Sequence, residues 1–176
     1  ISGLLLPDQG KIMVAGYDLS NQSMQAKKVV GVVPQEIALY EDLSAHENLT
    51  FWGKMYGLRG TALKKRVDEI LEIVGLSERQ KGRVGKFSGG MKRRLNIGIA
   101  LLHKPEIVIM DEPTVGIDPQ SRRNILENVK ELNQQGMTVL YTTHYMGAFA
   151  HLATHCHRHY PGCIFIWYLF VVICAH

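Results

Sequence analysis

Cysteine is scarce in this 176-residue sequence: Cys156, Cys163 and Cys174 are the only three, all within the last 21 positions. Nothing upstream can form a disulfide framework, so the bulk of the chain must be held by packing and hydrogen bonds. No apolar run reaches the roughly twenty residues that a bilayer-spanning helix needs; the run from Cys163 to Cys174 falls short. No secretory signal is visible, and the sequence does not begin with Met. Blocks of like charge are also missing. The net charge of +4 comes from dispersed residues, and Lys64-Lys65-Arg66 shares its segment with Asp68, Glu69 and Glu72. That pattern describes a solvated helix face and not a nucleic-acid surface, so no nucleic-acid partner is expected. What the sequence does have is 46% hydrophobic residues, enough for the core of one domain.

The patterning predicts an α/β fold. Lys11 to Ala15 reads as a strand with a turn around Gly16-Tyr17-Asp18, and Val29 to Val33 reads as a second strand delivering Gln35 to a loop. Ser44-Ala45-His46-Glu47 has the form of a capping box, opening a helix that runs to about Gly57. Leu63, Val67, Ile70, Leu71 and Val74 recur at helical spacing, with Gly75 as the stop. Leu95, Ile99 and Leu102 mark a further helix. Asp118-Pro119 suits the cap and first turn of a helix through about Gln135, with Ile125, Val129 and Leu132 inward. Thr138 to Tyr141 is a strand that leads to His144.

Two segments carry chemistry. Ile107-Val108-Ile109-Met110 is four apolar residues in a row, the pattern of a strand buried on both faces of a parallel sheet, and it ends on Asp111-Glu112. Ligand sites in open α/β sheets lie at the carboxyl ends of the strands. There one carboxylate can hold a hard cation such as Mg²⁺ and the other can polarise an attacking water. A strand-end turn with two solvated acids would read the same in isolation. Upstream, Phe87-Ser88-Gly89-Gly90-Met91 precedes a helix. Its glycines admit close approach of an anion to the helix start, and Ser88 adds a hydroxyl; a Gly-rich loop that only caps the helix is the alternative.

Taken in order, these motifs resemble the nucleotide-binding domain of ATP-binding-cassette (ABC) transporters. Val33-Pro34-Gln35-Glu36 resembles the glutamine loop, and Phe87 to Met91 resembles the signature written LSGGQ, with Phe and Met at its variable ends. Ile107 to Glu112 resembles Walker B with the following glutamate, Gly116-Ile117-Asp118-Pro119 the D-loop, and Thr142-Thr143-His144 the segment ending in the switch histidine. The resemblance implies a P-loop NTPase-like ABC ATPase core with a small helical subdomain at about 44–100, within a partial domain over 1–146. It implies ATP and Mg²⁺ as cofactors. Asp111 and Gln35 would hold Mg²⁺, Glu112 would be the base, and His144 would contact the γ-phosphate. Ser88, Gly89 and Gly90 would face a nucleotide held by a second subunit in a head-to-tail dimer. Asp118 would work across that interface, or serve simply as a helix cap.

The phosphate loop of the family, G-x-x-x-x-G-K-[ST], appears nowhere in the chain. Its backbone N–H groups and lysine cradle the phosphates. The resemblance therefore implies an amino-terminal truncation and a fold incomplete at the N-terminus, and this chain alone is expected to be inactive. Only 52 residues separate Gln35 from Ser88, too few for the long coiled coils of chromosome-maintenance relatives. The short insertion favours the ATPase subunit of a membrane transporter, at the cytoplasmic face of the membrane with a transmembrane permease as partner. Gly90 to Leu95 and Pro113 to Pro119 are most similar to prokaryotic exporters. A non-catalytic cassette offering only its signature face, and a soluble non-transport ABC ATPase, are the alternatives. Residues 147–176 depart from the family pattern, as an altered reading frame would produce; comparing the three frames of the coding DNA checks this. Within them, His151, His155, His157, His159 and Cys156 are metal-capable, but the flanking Pro161-Gly162 argues against a built site.

Overall fold

The structure, a computed structural model, describes residues 9–145 together with 147, 150, 152, 164–166 and 171–174, and for the last two segments the backbone alone. The His-rich patch of the tail lies outside the described residues. The strand expected over Lys11–Ala15 is instead half of a minimal hairpin, β1 (Met13–Val14) pairing antiparallel with β2 (Tyr17–Asp18). Ala15 and Gly16 take φ of 47° and 81°. Positive φ at both central positions is what a type I′ hairpin turn requires, so the chain reverses before the strand can lengthen. A helix without an apolar period follows, α1 (Ser23–Lys28), in which Ala26 alone is buried.

The main sheet begins with β3 (Val30–Val33), and β4 (Ile107–Asp111) and β5 (Thr138–Thr142) lie parallel to it in that order. Two tail strands, β6 (Ile164–Ile166) and β7 (Val171–Cys174), complete it; β7 pairs antiparallel with β5 and β6 with β7. The apolar end of the sequence is thus strand in part. β4 is not buried evenly on both faces, contrary to the reading of its four apolar residues. Val108 and Met110 are fully buried, whereas Ile107 and Ile109 are half-buried. The face of Ile107 and Ile109 packs on a small cluster of Val14, Leu19, Ala26 and Val30, and the hairpin and α1 leave part of it open.

Between Gln35 and Ser88 lie α2 (Ala45–Met55) and α3 (Gly60–Ile73), followed by two single 3₁₀ turns. Both arms of the capping box are present: the Ser44 hydroxyl accepts from the Glu47 amide, and the Glu47 carboxylate accepts from the Ser44 amide at 2.8 Å. α2 stops at Met55 because Gly57 takes the left-handed conformation, and Gly75 does the same after α3. The Arg66 guanidinium donates to the carbonyls of Leu101 and Leu102, tying α3 to the end of α4 (Gly89–Leu101). On α5 (Pro119–Gln134), Ile125, Val129 and Leu132 are buried as expected, each side chain contributing roughly 1.5–3 kcal/mol. One apolar core runs without a break from the helices Ala45–Met55 and Gly60–Ile73 to the strands of the sheet.

Candidate functional site

Strand register assembles the site. Val33 pairs with Met110, Met110 with Tyr141 and Asp111 with Thr142, so the three parallel strands end level. Gln35 follows the first of them, Asp111 and Glu112 the second, and His144 the third, all along one edge of the sheet.

Glu112 is the most constrained of these residues. Its φ is 47°, in the left-handed region where a non-glycine residue is uncommon and costs of order 1–3 kcal/mol. The conformation is held by its amide, which donates to both the carbonyl and the hydroxyl of Thr142 at 3.2 Å. The outcome is that Oε1 of Glu112 sits 3.2 Å from Nε2 of His144. The other oxygen, Oε2, is buried without a hydrogen-bond partner among the described residues. The Glu112 side chain is 9% exposed and that of His144 is 77% exposed. The pair thus has one wall in the protein and one in solvent.

Asp111 is exposed and accepts a 2.7 Å hydrogen bond from the Thr142 hydroxyl. Thr142 therefore organises both acids, a role that nothing in its sequence neighbourhood signalled beyond its place beside the histidine. Behind the strand ends, the hydroxyls of Tyr141 and Thr114 share a buried hydrogen bond of 3.0 Å that joins β5 to the turn after Glu112. Burial pushes the Tyr141 phenol up to about 12, the Thr114 hydrogen bond partly opposing it. A phenol raised in the folded state gives stability that is complete below its ordinary value near 10 and lost as pH climbs towards 12. Across that interval the unmutated protein should lose about 1.4 kcal/mol per pH unit more than Tyr141→Phe, as urea unfolding would measure. At neutral pH the same substitution should cost about 1 kcal/mol, because the Thr114 hydroxyl loses its partner.

The second constellation lies at the starts of α4 and α5. Ser88 caps α4, its hydroxyl oxygen accepting from the Met91 amide at 3.2 Å. Among the described residues its proton has no acceptor and can serve an incoming one. Asp118 caps α5 by accepting from the Ser121 amide at 2.9 Å, so the cap role is present in the structure. The Ser121 side chain and amide hold the Asp118 carboxyl below the usual carboxylate range. Gly90 is where the helix starts touch: a Cβ there would stand 2.2 Å from Oγ and 2.3 Å from Cβ of Ser121. Gly90→Ala should therefore cost about 1–3 kcal/mol by overpacking. Ser121→Gly in that background should recover much of it, both read from urea midpoints.

Ser88, Gly89, Asp118, Gln35, Asp111 and His144 are all exposed. Among the described residues no hydrogen bond or ion pair joins Ser88, Gly89 or Gly90 to Asp111, Glu112 or His144. Spatially, then, the residues singled out in the sequence form two groups: Gln35, Asp111, Glu112 and His144 on the strand edge, and Ser88 to Gly90 with Asp118 at the paired helix starts.

The family profile described as ABC transporter matches residues 1–115. The linearmycin resistance ATP-binding protein LnrL of Bacillus subtilis (strain 168) is 64% identical over 146 residues, covering 83% of this chain and 47% of the relative. The Nod factor export ATP-binding protein I of Cupriavidus metallidurans is 42% identical over 153 residues, covering 87% of this chain and 50% of the relative. The chain thus spans about half the length of these curated relatives. Among solved structures, the dimeric post-hydrolysis state of the ATP-binding cassette MJ0796 bound to ADP and Pi superposes with a TM-score of 0.71 at 26% identity. That match covers 84% of this chain and 68% of the other. An ATP-binding subunit of an ABC transporter superposes with a TM-score of 0.69 at 31% identity, covering 85% and 62%. These matches show an ABC ATPase fold of the P-loop NTPase type, and the chain belongs to the ABC transporter family.

Proposed function

We propose that this chain is part of the ATP-hydrolysing subunit of an ABC exporter, acting at the cytoplasmic face of a membrane. The observation that carries the reading is Glu112, held in a strained backbone conformation with its carboxylate 3.2 Å from His144. Strain of this kind persists only where the surroundings over-determine it, and it clusters at functional sites. The donor set fits a hard cation: Asp111 offers an exposed carboxylate and Gln35 an amide oxygen on the neighbouring strand end, the oxygen ligands that Mg²⁺ takes alongside water. Mg²⁺, when bound, would neutralise charge on the phosphates. Glu112 then accepts a proton from the attacking water through its half-sheltered carboxylate, and His144, on the solvent side, orients the γ-phosphate.

The exposure of Gln35, Asp111 and His144 in one group and of Ser88, Gly89 and Asp118 in the other supports a head-to-tail dimer. Phosphoryl transfer gains from excluding water, and a second copy laid over the strand edge would supply that cover together with its own Ser88, Gly89 and Gly90. Asp118, already a cap, would face the same interface. Towards a membrane permease, the surface beside the glutamine loop is the natural contact. There Phe51 packs edge-to-face on both Tyr40 and Trp52, with ring centroids 5.0 and 5.6 Å apart. Buried Asn48 fixes this group by bonding the Tyr40 backbone in both directions. Among the described residues no helix is long and apolar enough to cross a membrane, so on this reading a permease partner supplies the pathway.

The experiment compares this chain with an extended protein, in which the sequence is preceded by the family's phosphate loop and the strand before it. Calorimetry with Mg·ATP should give no micromolar binding to the chain alone, since the lysine and the nest of N–H groups are missing from its sequence. The extended protein should bind ATP and hydrolyse it only when Mg²⁺ is present. A micromolar isotherm from the chain alone, or an extended protein that binds without turnover, would count against the reading.

A further inference from the structure

Arg93 lies one turn into α4 from the signature and is only 3% exposed. Its guanidinium donates to two consecutive carbonyls across the sequence, Nη1 to Pro34 at 2.7 Å and Nη2 to Gln35 at 2.5 Å. A planar fork serving two acceptors is what arginine does and lysine cannot. No carboxylate among the described residues lies within ion-pair distance of it, and its Nε is buried without a partner. A buried cation with no carboxylate in contact is a poor source of stability, since Coulomb attraction to the more distant Asp111 only partly offsets its desolvation. An apolar side chain would pack the position at lower cost. What the fork gives instead is a fixed distance between the helix that starts at the signature and the backbone of the glutamine loop. Lys92, next on the same helix, adds a parallel tie to Glu41, beyond that loop.

We propose that Arg93 is a positioning residue that links the signature helix to the glutamine loop within one chain, so that Gln35 follows any movement of Ser88 to Gly90. A nucleotide of a second subunit pulling on the signature would then shift Gln35 towards or away from its own Mg²⁺. This rests on the reading that Gln35 helps hold that ion, and two separate arms keep the two claims apart.

The first arm needs no activity. Hydrogen–deuterium exchange is measured on this chain unmutated, as Arg93→Met and as Arg93→Lys. The Tyr40 amide, which closes the glutamine-loop segment by donating to Oδ1 of Asn48 at 2.9 Å, should exchange about tenfold faster in Arg93→Met and to an intermediate extent in Arg93→Lys, with α2 and β4 unchanged. Should Arg93→Met not fold, Arg93→Lys alone decides. No rise at Tyr40, or a rise spread equally over α2 and β4, overturns the link. The second arm uses the extended protein and the Mg²⁺ concentration for half-maximal ATPase. Arg93→Met should raise it several-fold, and in a Gln35→Ala background should add nothing further. Additive effects would show that Arg93 acts independently of Gln35. An extended protein without any ATPase would defeat the functional reading while leaving the exchange result to judge Arg93.

Discussion

In the extended protein, Glu112→Gln is expected to lower ATP turnover by at least about a hundredfold, the lower end of what a positioned general base contributes. The substitution is isosteric. Its amide oxygen can still face His144, and glutamine meets the same backbone demand at φ 47° as glutamate does. The Thr142 contacts that hold the turn are made by the backbone amide of residue 112 and are untouched. What is lost is the capacity to take a proton from water. Phosphate release at saturating Mg·ATP should therefore collapse while a fluorescent-nucleotide titration shows an affinity close to that of the unmutated protein. The split matters, because a loss in turnover without a loss in binding identifies an interaction made only in the transition state. Turnover near the unmutated rate would show that Glu112 is not the base.

A mixed dimer gives an all-or-none result for the signature. One extended subunit carries a disabled phosphate-loop lysine and the other carries Ser88→Arg. Ser88 is exposed at the start of α4, where a long cation would stand in the path of an incoming γ-phosphate. If the signature serves the nucleotide of the other subunit, both lesions fall on one composite site. The second site stays whole, and nucleotide trapping should find about one competent site per dimer. If it serves its own chain's nucleotide, the lesions disable one site each and trapping is lost. Among the described residues, no bond joins Ser88–Gly90 to the Asp111–Glu112–His144 group within one chain, which motivates the first outcome. Loss of the Ser88 cap costs about 1 kcal/mol, so assembly of the dimer is checked by size before trapping is read.

The sequence by itself determined what depends on near neighbours along the chain. The Ser44–Glu47 capping box, the Asp118 cap with Pro119 following it, the stop at Gly75 and the apolar stripe of Ile125, Val129 and Leu132 all rest on bonds or periods within three or four residues. The order of the strings that resemble the glutamine loop, signature, Walker B, D-loop and switch histidine pointed to the family for the same reason: each is a short string whose chemistry is local. The hairpin at Ala15–Gly16 and the partial cover of β4 were not legible, because a turn's dihedral angles and the coverage of a sheet face are not written in apolar periodicity. Only the tertiary structure brought Glu112 to His144, Thr142 to Asp111 and Arg93 to the carbonyls of Pro34 and Gln35, the last across 58 residues. Close packing of α4 on β3 decides the last of these meetings, and parallel strand register decides the first two. It is fixed by side-chain packing across the whole core, so residues far apart in sequence arrive level at one sheet edge while Gly90 and Ser121 close the helix starts beside them.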